Sequence, residues 1–191
     1  MLDQQTQIHR ATHADAQALS RLSAAVFPLG CPANTPPHDL ADFINRELTP
    51  ERYSVLLQDD SFTILIAKVA GSLAGLALLA QAASPPQMQP PAALELRRFY
   101  IESAYHGQGV ANVLMKEVLA VAATQGEGSL WLSAFSGNGR AISFYKRWGF
   151  RIAGTHDFMV GTDRQKDHLM LHELPLGSGK PTNLGNVKEG S

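Results

Sequence analysis

The chain contains a single cysteine, Cys31, among its 191 residues. One thiol excludes an intrachain disulfide. Because the sequence offers no identifiable activating partner, we interpret Cys31 as an inert, partly buried thiol rather than an acyl-accepting nucleophile. The chain also lacks an apolar run that approaches the roughly 18 residues of a membrane-spanning helix. Its first residues show no charged-then-apolar signal segment, so we expect a cytoplasmic protein with no membrane partner.

An excess of charge of one sign is absent as well. The 16 basic and 17 acidic residues give a net charge of −1, so we expect no nucleic-acid partner. His168 and His172 are four residues apart, but their stretch alternates like a strand, on which they stand too far apart to share an ion. We therefore expect no metal site. The length suggests one domain.

The most informative part of the sequence is a glycine-rich turn, residues 106–111. Residues 93–101 before it are typical of a strand, and the apolar residues after it recur with a helical period. Such a turn leaves several backbone N–H groups unpaired, and the helix dipole adds partial positive charge at the same place. Gly107 and Gly109 would let the backbone approach a phosphate closely; the alternative is that they serve only the turn.

Two common nucleotide-binding motifs are missing from this turn. A P-loop would need Gly-Lys-Ser/Thr. A dinucleotide site would need a small residue where Asn112 stands and an acidic residue about 20 positions further on. The sequence therefore predicts a phosphorylated ligand that is neither NAD nor a nucleoside triphosphate.

A second strand-and-helix segment follows. Residues 129–135 are rich in apolar and aromatic side chains, as in a strand. Asn138 is placed to cap a short helix that Gly149 ends. On this helix Ala141, either Phe144 or Tyr145, and Trp148 recur at helical spacing.

The rest of the pattern predicts the order of the other elements. They are a strand at 8–11, a helix at 15–26, a loop at 27–37, a helix at 38–48, a hairpin of 62–69 and 73–81, a proline-rich connector at 82–92 and a closing antiparallel pair of 150–155 and 168–173. The helix after the glycine-rich turn should end near Gly126. The domain is predicted to span residues 1–175, followed by a flexible tail at 176–191 that has almost nothing to bury.

Residues 106–111 resemble Arg/Gln-x-x-Gly-x-Gly/Ala, the first signature of the GNAT superfamily of acyl-coenzyme A-dependent N-acyltransferases. Residues 138–150 are similar to its second signature, Asn-x-x-Ala-x-x-Phe-Tyr-x-x-x-Gly-Phe, about 30 residues further on. The resemblance covers roughly residues 6–174. His106 departs from the usual first position, and Ser133 stands where some protein N-terminal acetyltransferases of the family place a glutamate base.

The resemblance implies an α/β fold with a mixed, mostly antiparallel central sheet flanked by helices, in which a splayed strand pair holds the coenzyme. It implies a pantetheine site along the backbone of Phe99, Tyr100 and Ile101, and a pyrophosphate site in the turn of His106, Gly107, Gln108, Gly109, Val110 and Ala111. Asn138 is expected either to cap its helix or to cap it and also contact the coenzyme.

Two residues are candidates for proton transfer. Tyr145 is the candidate acid, because a phenol can donate to the departing thiolate; the alternative is that it only packs against the coenzyme. Glu95, on the strand that enters the site, is the candidate base, and its alternative is a solvated surface glutamate. Arg97 and Arg98 are expected to alternate in direction, so that one faces the acceptor cleft. An arginine there would suit an acceptor that carries a carboxylate.

The implied activity is transfer of an acetyl group from acetyl-CoA, as co-substrate, to a primary amine by direct attack in a ternary complex. The alternative is a non-catalytic acyl-CoA-binding sensor or regulatory module, since a fold does not guarantee its chemistry. The acceptor is expected to be a small-molecule or peptide amine. Dimerisation is common in the family, which makes a homodimer a possible assembly.

Overall fold

A seven-stranded sheet organises the part of the chain that the computed structural model describes, residues 5–89, 91–125 and 128–174. The strands are β1 (Gln7–Arg10), β2 (Phe62–Val69), β3 (Ser72–Gln81), β4 (Leu94–Ile101), β5 (Ser129–Phe135), β6 (Arg151–Val160) and β7 (Asp163–Glu173). They lie in the order β1-β2-β3-β4-β5-β7-β6. Strands β4 and β5 are parallel, and the other neighbours are antiparallel. The mixed, mostly antiparallel sheet implied by the sequence resemblance is therefore confirmed.

Helices cover both faces of this sheet. They are α1 (Ala16–Val26), α2 (Pro37–Glu47), α3 (Pro50–Leu56), α4 (Val110–Thr124) and α5 (Gly139–Arg147). Side chains alternate along β2, so that Leu65 and Ala67 join the cluster with α4 and α5 while Ile64 and Ile66 join the cluster with α1 and α3. Among the helices described, none is long and apolar enough to cross a membrane.

The elements with a clear local pattern lie where the sequence predicts them, within one residue at each end. The strands at 62–69 and 129–135 match at both ends, and the helix predicted at 15–26 begins one residue later. The β2–β3 hairpin turns at Ala70 and Gly71, with φ of 49° and 81°. Two consecutive positive φ angles give a two-residue turn whose twist matches that of the strands.

Three parts of the chain differ from the prediction or lie outside the described residues. Helix α3, to which no element was assigned, is a single short stretch that begins with a proline and is capped by the Thr49 hydroxyl. The closing hairpin is longer than predicted, because polar residues that the sequence pattern assigns to its connection belong to the two strands. The Arg164 guanidinium, for example, forms an ion pair with the Asp157 carboxylate across the hairpin. The predicted helix end at Gly126 and the predicted tail at 176–191 lie outside the described residues.

A β-bulge in the β3–β4 pair overturns the expected alternation of Arg97 and Arg98. The register shifts between Leu78 and Leu79, which leaves Arg97 as an extra residue in β4. The guanidinium of Arg97 lies over the Phe62 ring and that of Arg98 lies over the Tyr53 ring. Both rings belong to the cluster of α1 and α3. The two arginines therefore lie on the same face of the sheet.

Gly75 of β3 pairs with Ile101 at the end of β4. A Cβ atom added at Gly75 would lie 2.6 Å from Cδ1 of Ile101 and 2.8 Å from the carbonyl oxygen of Tyr100. Because this oxygen cannot move without shifting β4, we expect Gly75→Ala to lower the free energy of unfolding by about 1–3 kcal/mol. Urea denaturation measures the change.

The matched control for this prediction is Gly139→Ala, where an added Cβ meets nothing within 4 Å. Gly139 begins α5, and alanine is the better helix former, so the control should not be destabilised. Equal unfolding free energies for the Gly75→Ala variant and the original protein would contradict the prediction.

Candidate active site

Strands β4 and β5 are paired only where they begin. Leu94 pairs with Leu130 and Glu95 with Trp131, after which the two parallel strands separate. Strand β4 continues to Ile101 with β3 as its partner. The backbone groups of its last residues that face β5 therefore have no ladder partner in the sheet. The splayed strand pair implied by the sequence resemblance is confirmed.

A pocket of about 760 Å³ opens at this separation and reaches both faces of the sheet. Its volume lies within the range of small-molecule sites. On the face of α4 and α5 its lining includes Tyr105, His106, Gly109, Asn138, Arg140 and Tyr145. On the opposite face it includes Phe27, Cys31, Arg98, Phe158, Gln165 and Asp167.

The glycine-rich turn forms the end of the pocket at the start of α4. Gly107 and Gly109 have φ of 78° and 84°, in the left-handed region that favours glycine. The N–H of Gln108 donates to the carbonyl of Tyr105 at 3.3 Å, within the turn itself. Gly109 caps α4 without a side-chain hydrogen bond. The first amides of α4 therefore stay free for an anion, since a helix leaves its first N–H groups without intrahelical partners.

His106 connects this turn to its two neighbours. Its Nδ1 accepts a hydrogen bond from Nη1 of Arg140 at 3.0 Å, and its Nε2 lies 3.0 Å from the carbonyl oxygen of Ile101. With Nδ1 as acceptor, Nε2 carries the proton and donates to Ile101. The imidazole thus links the end of β4 to α5 across the pocket wall.

Tyr145 and Asn138 lie on α5. Tyr145 is 9% exposed, and its ring packs against Phe99, Phe144 and Phe150 with centroid distances of 5.6–6.3 Å. Burial raises the pKa of Tyr145, so the hydroxyl keeps its proton at neutral pH. The side-chain oxygen of Asn138 accepts from the N–H of Ala141 at 3.1 Å, which confirms the helix cap.

Glu95 lines the pocket near the point where β4 and β5 separate. Its carboxylate accepts from Nε of Arg97 at 2.8 Å and is 14% exposed on its side chain. Glu95 is thus paired with an arginine, and its role as a base or as a surface glutamate stays a prediction. As a base, Glu95 would share its Oε2 with this arginine.

The structure brings together three residues that sequence reasoning did not connect: Ser133, His156 and Asp167. Ser133 Oγ lies 2.6 Å from Oδ2 of Asp167 and 2.8 Å from Nε2 of His156. Ser133 and Asp167 line the pocket. One sequence signal could have indicated this cluster. On a strand, Asp167 shares a face with Leu169 and Leu171, which face a buried cluster, so an acidic side chain is placed on a buried face.

On the face opposite α4 and α5, the wall of the pocket includes the segment between α1 and α2 and residues of α2 itself. The rings of Phe27 and Phe43 stack at 4.3 Å. Thr35 donates to Asp163 at 2.7 Å, which fixes the segment to the start of β7. Cys31 also lines this wall. Burial raises the pKa of the Cys31 thiol to about 11, which supports its interpretation as an inert thiol.

No group of three or more histidine, cysteine, aspartate or glutamate side chains in the described part of the chain is arranged to hold a metal ion. His168 and His172 lie on β7, four residues apart along an extended strand. At about 3.3 Å per residue, that spacing is too long for one ion.

The fold and the site together define a class of protein. Its members have an open mixed sheet in which two parallel strands separate beside a helix that begins at a glycine-rich turn. The chain matches the family model of the acetyltransferase (GNAT) family over residues 24–150. It is 36% identical over 160 residues to an uncharacterized N-acetyltransferase of Mycobacterium tuberculosis, an alignment that covers 84% of this chain and 98% of the relative. The chain therefore belongs to the GNAT acetyltransferase family.

Solved structures share the same fold at low sequence identity. The PaiA N-acetyltransferase of Thermoplasma acidophilum, in complex with coenzyme A, superposes with a TM-score of 0.71 at 17% identity over 88% of this chain and 99% of that chain. The ribosomal-protein-S18-alanine N-acetyltransferase of Escherichia coli superposes with a TM-score of 0.65 at 16% identity, over 93% of this chain and 98% of that chain.

Proposed function

We propose that this protein transfers an acetyl group from acetyl-CoA to a primary amine by direct attack in a ternary complex. The observation that carries the proposal is the pocket at the β4–β5 separation, which reaches both faces of the sheet. One face offers free amides for a diphosphate, and the other offers a separate space for an acceptor. A neighbour of the same fold, the PaiA N-acetyltransferase, is described in complex with coenzyme A.

The residues present fit a coenzyme. In this proposal the amides of Gly109, Val110 and Ala111 hold the pyrophosphate at the positive end of the α4 dipole, with Gly107, Gln108 and His106 shaping the turn. The backbone edge of Phe99, Tyr100 and Ile101, which has no strand partner on the β5 side, binds the pantetheine arm as an added strand would, beside the Ile101 carbonyl that accepts from His106. Asn138 lines the same pocket beside its capping role. These assignments remain predictions.

The chemistry asks two things of the chain. A lysine-like amine of pKa about 10.4 is neutral only to roughly 0.04% at pH 7, so the site must take a proton from it. The departing thiolate must also gain a proton. Tyr145, whose hydroxyl keeps its proton at neutral pH, is the proposed donor. Backbone N–H groups of β4 would polarise the thioester carbonyl.

The alternative function is a non-catalytic acyl-CoA sensor. A sensor needs the coenzyme half of the pocket but not the half on the opposite face, where Phe27, Phe158 and Asp167 form the lining. The presence of that half favours the enzyme. The acceptor class, the homodimer and the cytoplasmic location remain predictions.

The test has two parts. Calorimetry with coenzyme A and with acetyl-CoA measures binding, for which we expect a measurable heat of association. A thiol-release assay with acetyl-CoA and benzylamine, spermidine, L-methionine and a tripeptide with a free amino terminus then measures transfer. Binding without thiol release for any amine would favour the sensor, and no heat with either ligand would overturn both functions.

A further inference from the structure

Three carboxylates line the pocket, and two of them are neutralised by arginine. Glu47 accepts from Nε of Arg46 at 3.0 Å, and Glu95 accepts from Arg97 at 2.8 Å. The charges that act on Asp167 are instead those of His156 and, on its own strand, His168. Asp167 is therefore the pocket carboxylate whose neighbours leave it able to accept a proton or an ammonium group.

Asp167 has one engaged oxygen and one free oxygen. The residue is 5% exposed. Its Oδ2 accepts from the Ser133 hydroxyl at 2.6 Å, while Oδ1 has no hydrogen-bond partner among the described residues. A buried carboxylate oxygen without a partner is costly, and an ammonium group bound in the pocket would supply the missing donor. Burial also raises the pKa of Asp167, which makes it a better base near neutral pH.

The position of Ser133 places this carboxyl toward the acceptor half of the pocket. Ser133 lies on β5 beyond the last residue paired with β4. Leu132 and Ala134 on either side of it pack toward α4 and α5, so Ser133 points to the opposite face. Tyr145 belongs to the cluster of α4 and α5. A thioester held at the strand separation would therefore have Tyr145 on one side and the Ser133–Asp167 pair on the other.

We propose that Asp167 takes the proton from the acceptor amine. Ser133 and His156 are positioning residues that orient the Asp167 carboxyl and pass its proton on. The proposal rests on the acetyl transfer proposed above. An ammonium proton passes to Oδ1 of Asp167, and the neutral nitrogen bonds to the thioester carbon as the carbon–sulfur bond breaks. Sulfur takes the bonding electrons and a proton from Tyr145. The second proton that nitrogen loses as the amide forms restores the proton of Tyr145.

The hydrogen bonds around Ser133 offer a way out for the proton on Asp167. When the carboxylate is ionised, Ser133 donates to Oδ2 and Nε2–H of His156 donates to Ser133. When Asp167 is protonated, it donates to Ser133, which in turn donates to Nε2. Moving from the second arrangement to the first transfers one proton to the imidazole of His156. This ring is half-buried on the edge strand β6, so in this proposal the proton leaves the relay at the partly exposed His156.

The test compares Asp167→Asn with Asp157→Asn, the same change on β6 at a carboxylate that pairs with Arg164 outside the pocket. The assay uses the panel amine that gives the fastest thiol release. We expect Asp167→Asn to lower kcat/KM about 100-fold at pH 7 while the Kd for acetyl-CoA stays within about twofold. Asp157→Asn should stay close to the original protein in both values.

A role in proton transfer, unlike a structural role, predicts recovery when the amine arrives already neutral. We expect the Asp167→Asn defect to shrink at least about tenfold as the pH is raised toward the pKa of the amine, and to shrink also with a fluorinated analogue that is neutral at pH 7. Ser133→Ala and His156→Gln should give smaller losses with the same recovery. The other titratable groups that interact electrostatically with Asp167 are Cys31 and His168, and Asp163 interacts with Cys31. None of these three residues is changed in any variant, so their contribution to the pH dependence is the same throughout.

The outcomes separate the two proposals. If the original protein transfers acetyl groups and Asp167→Asn keeps its rate, or loses it equally at every pH and with the neutral analogue, the role of Asp167 is overturned while the transferase stands. If Glu95→Gln alone shows the pH-dependent recovery, Glu95 is the base. If the original protein binds acetyl-CoA but releases no thiol with any amine, both proposals fail.

Discussion

Replacing Gly109 by alanine is expected to weaken coenzyme A binding about tenfold. Gly109 has φ of 84° at the start of α4. A residue with a Cβ atom costs about 1–2 kcal/mol in the left-handed region, so alanine favours a relaxed turn. In the relaxed turn the first amides of α4 no longer point together at one anion. Binding must then restore the strained backbone, and about 1.4 kcal/mol corresponds to a factor of ten in Kd.

Gly71→Ala is the matched control for this change. Gly71 has φ of 81° in the β2–β3 turn, and at both glycines an added Cβ would meet nothing within 4 Å. Both substitutions therefore place a Cβ atom at a left-handed backbone position with open space around it, and urea denaturation without ligand measures what each costs in unfolding free energy. Only Gly109→Ala should lose affinity in calorimetry. Equal Kd values for coenzyme A in the two variants would show that the turn does not hold the diphosphate.

The parts of the fold that the sequence predicts well are those set by local pattern. The turn at Gly107 and Gly109 is one example, because its need for positive φ is written in two glycines before an apolar helix. The cap at Asn138 is another, since a capping side chain contacts an amide three residues away. The family signatures cover these same short stretches. The fold and the conformation of the glycine-rich turn could therefore be predicted together.

The parts that could not be predicted depend on contacts between distant strands. Arg97 and Arg98 share a face because pairing with β3 inserts a bulge, and alternation along β4 gives no sign of it. Ser133, His156 and Asp167 come from three strands whose neighbourhood is set by the order β5-β7-β6. Their separations in sequence carry no period. The half of the pocket beside α4 and α5 thus depends on local sequence patterns, whereas the half on the opposite face depends on the order of the strands in the whole sheet.

Replacing Tyr145 by phenylalanine tests the proposed chemistry most directly. Its position follows from the second signature, and its surroundings follow from packing: the ring lies 5.7 Å from that of Phe150 and 6.3 Å from that of Phe99. Phenylalanine keeps this ring and removes only the hydroxyl. We expect Tyr145→Phe to lower kcat at least about tenfold, because the thiolate then departs without a proton donor.

Affinity and pH dependence decide between the acid role and simple packing. Since the ring contacts remain, the Kd for acetyl-CoA and the unfolding free energy of Tyr145→Phe should change little. Because burial raises the pKa of Tyr145, its ionisation should not limit the rate until the solution is strongly alkaline. Tyr105→Phe is the comparison, since it deletes a hydroxyl from another residue that lines the pocket and has no proposed catalytic role. If the two variants turn over equally fast, Tyr145 only packs, and the proton for sulfur must come from elsewhere in the pocket.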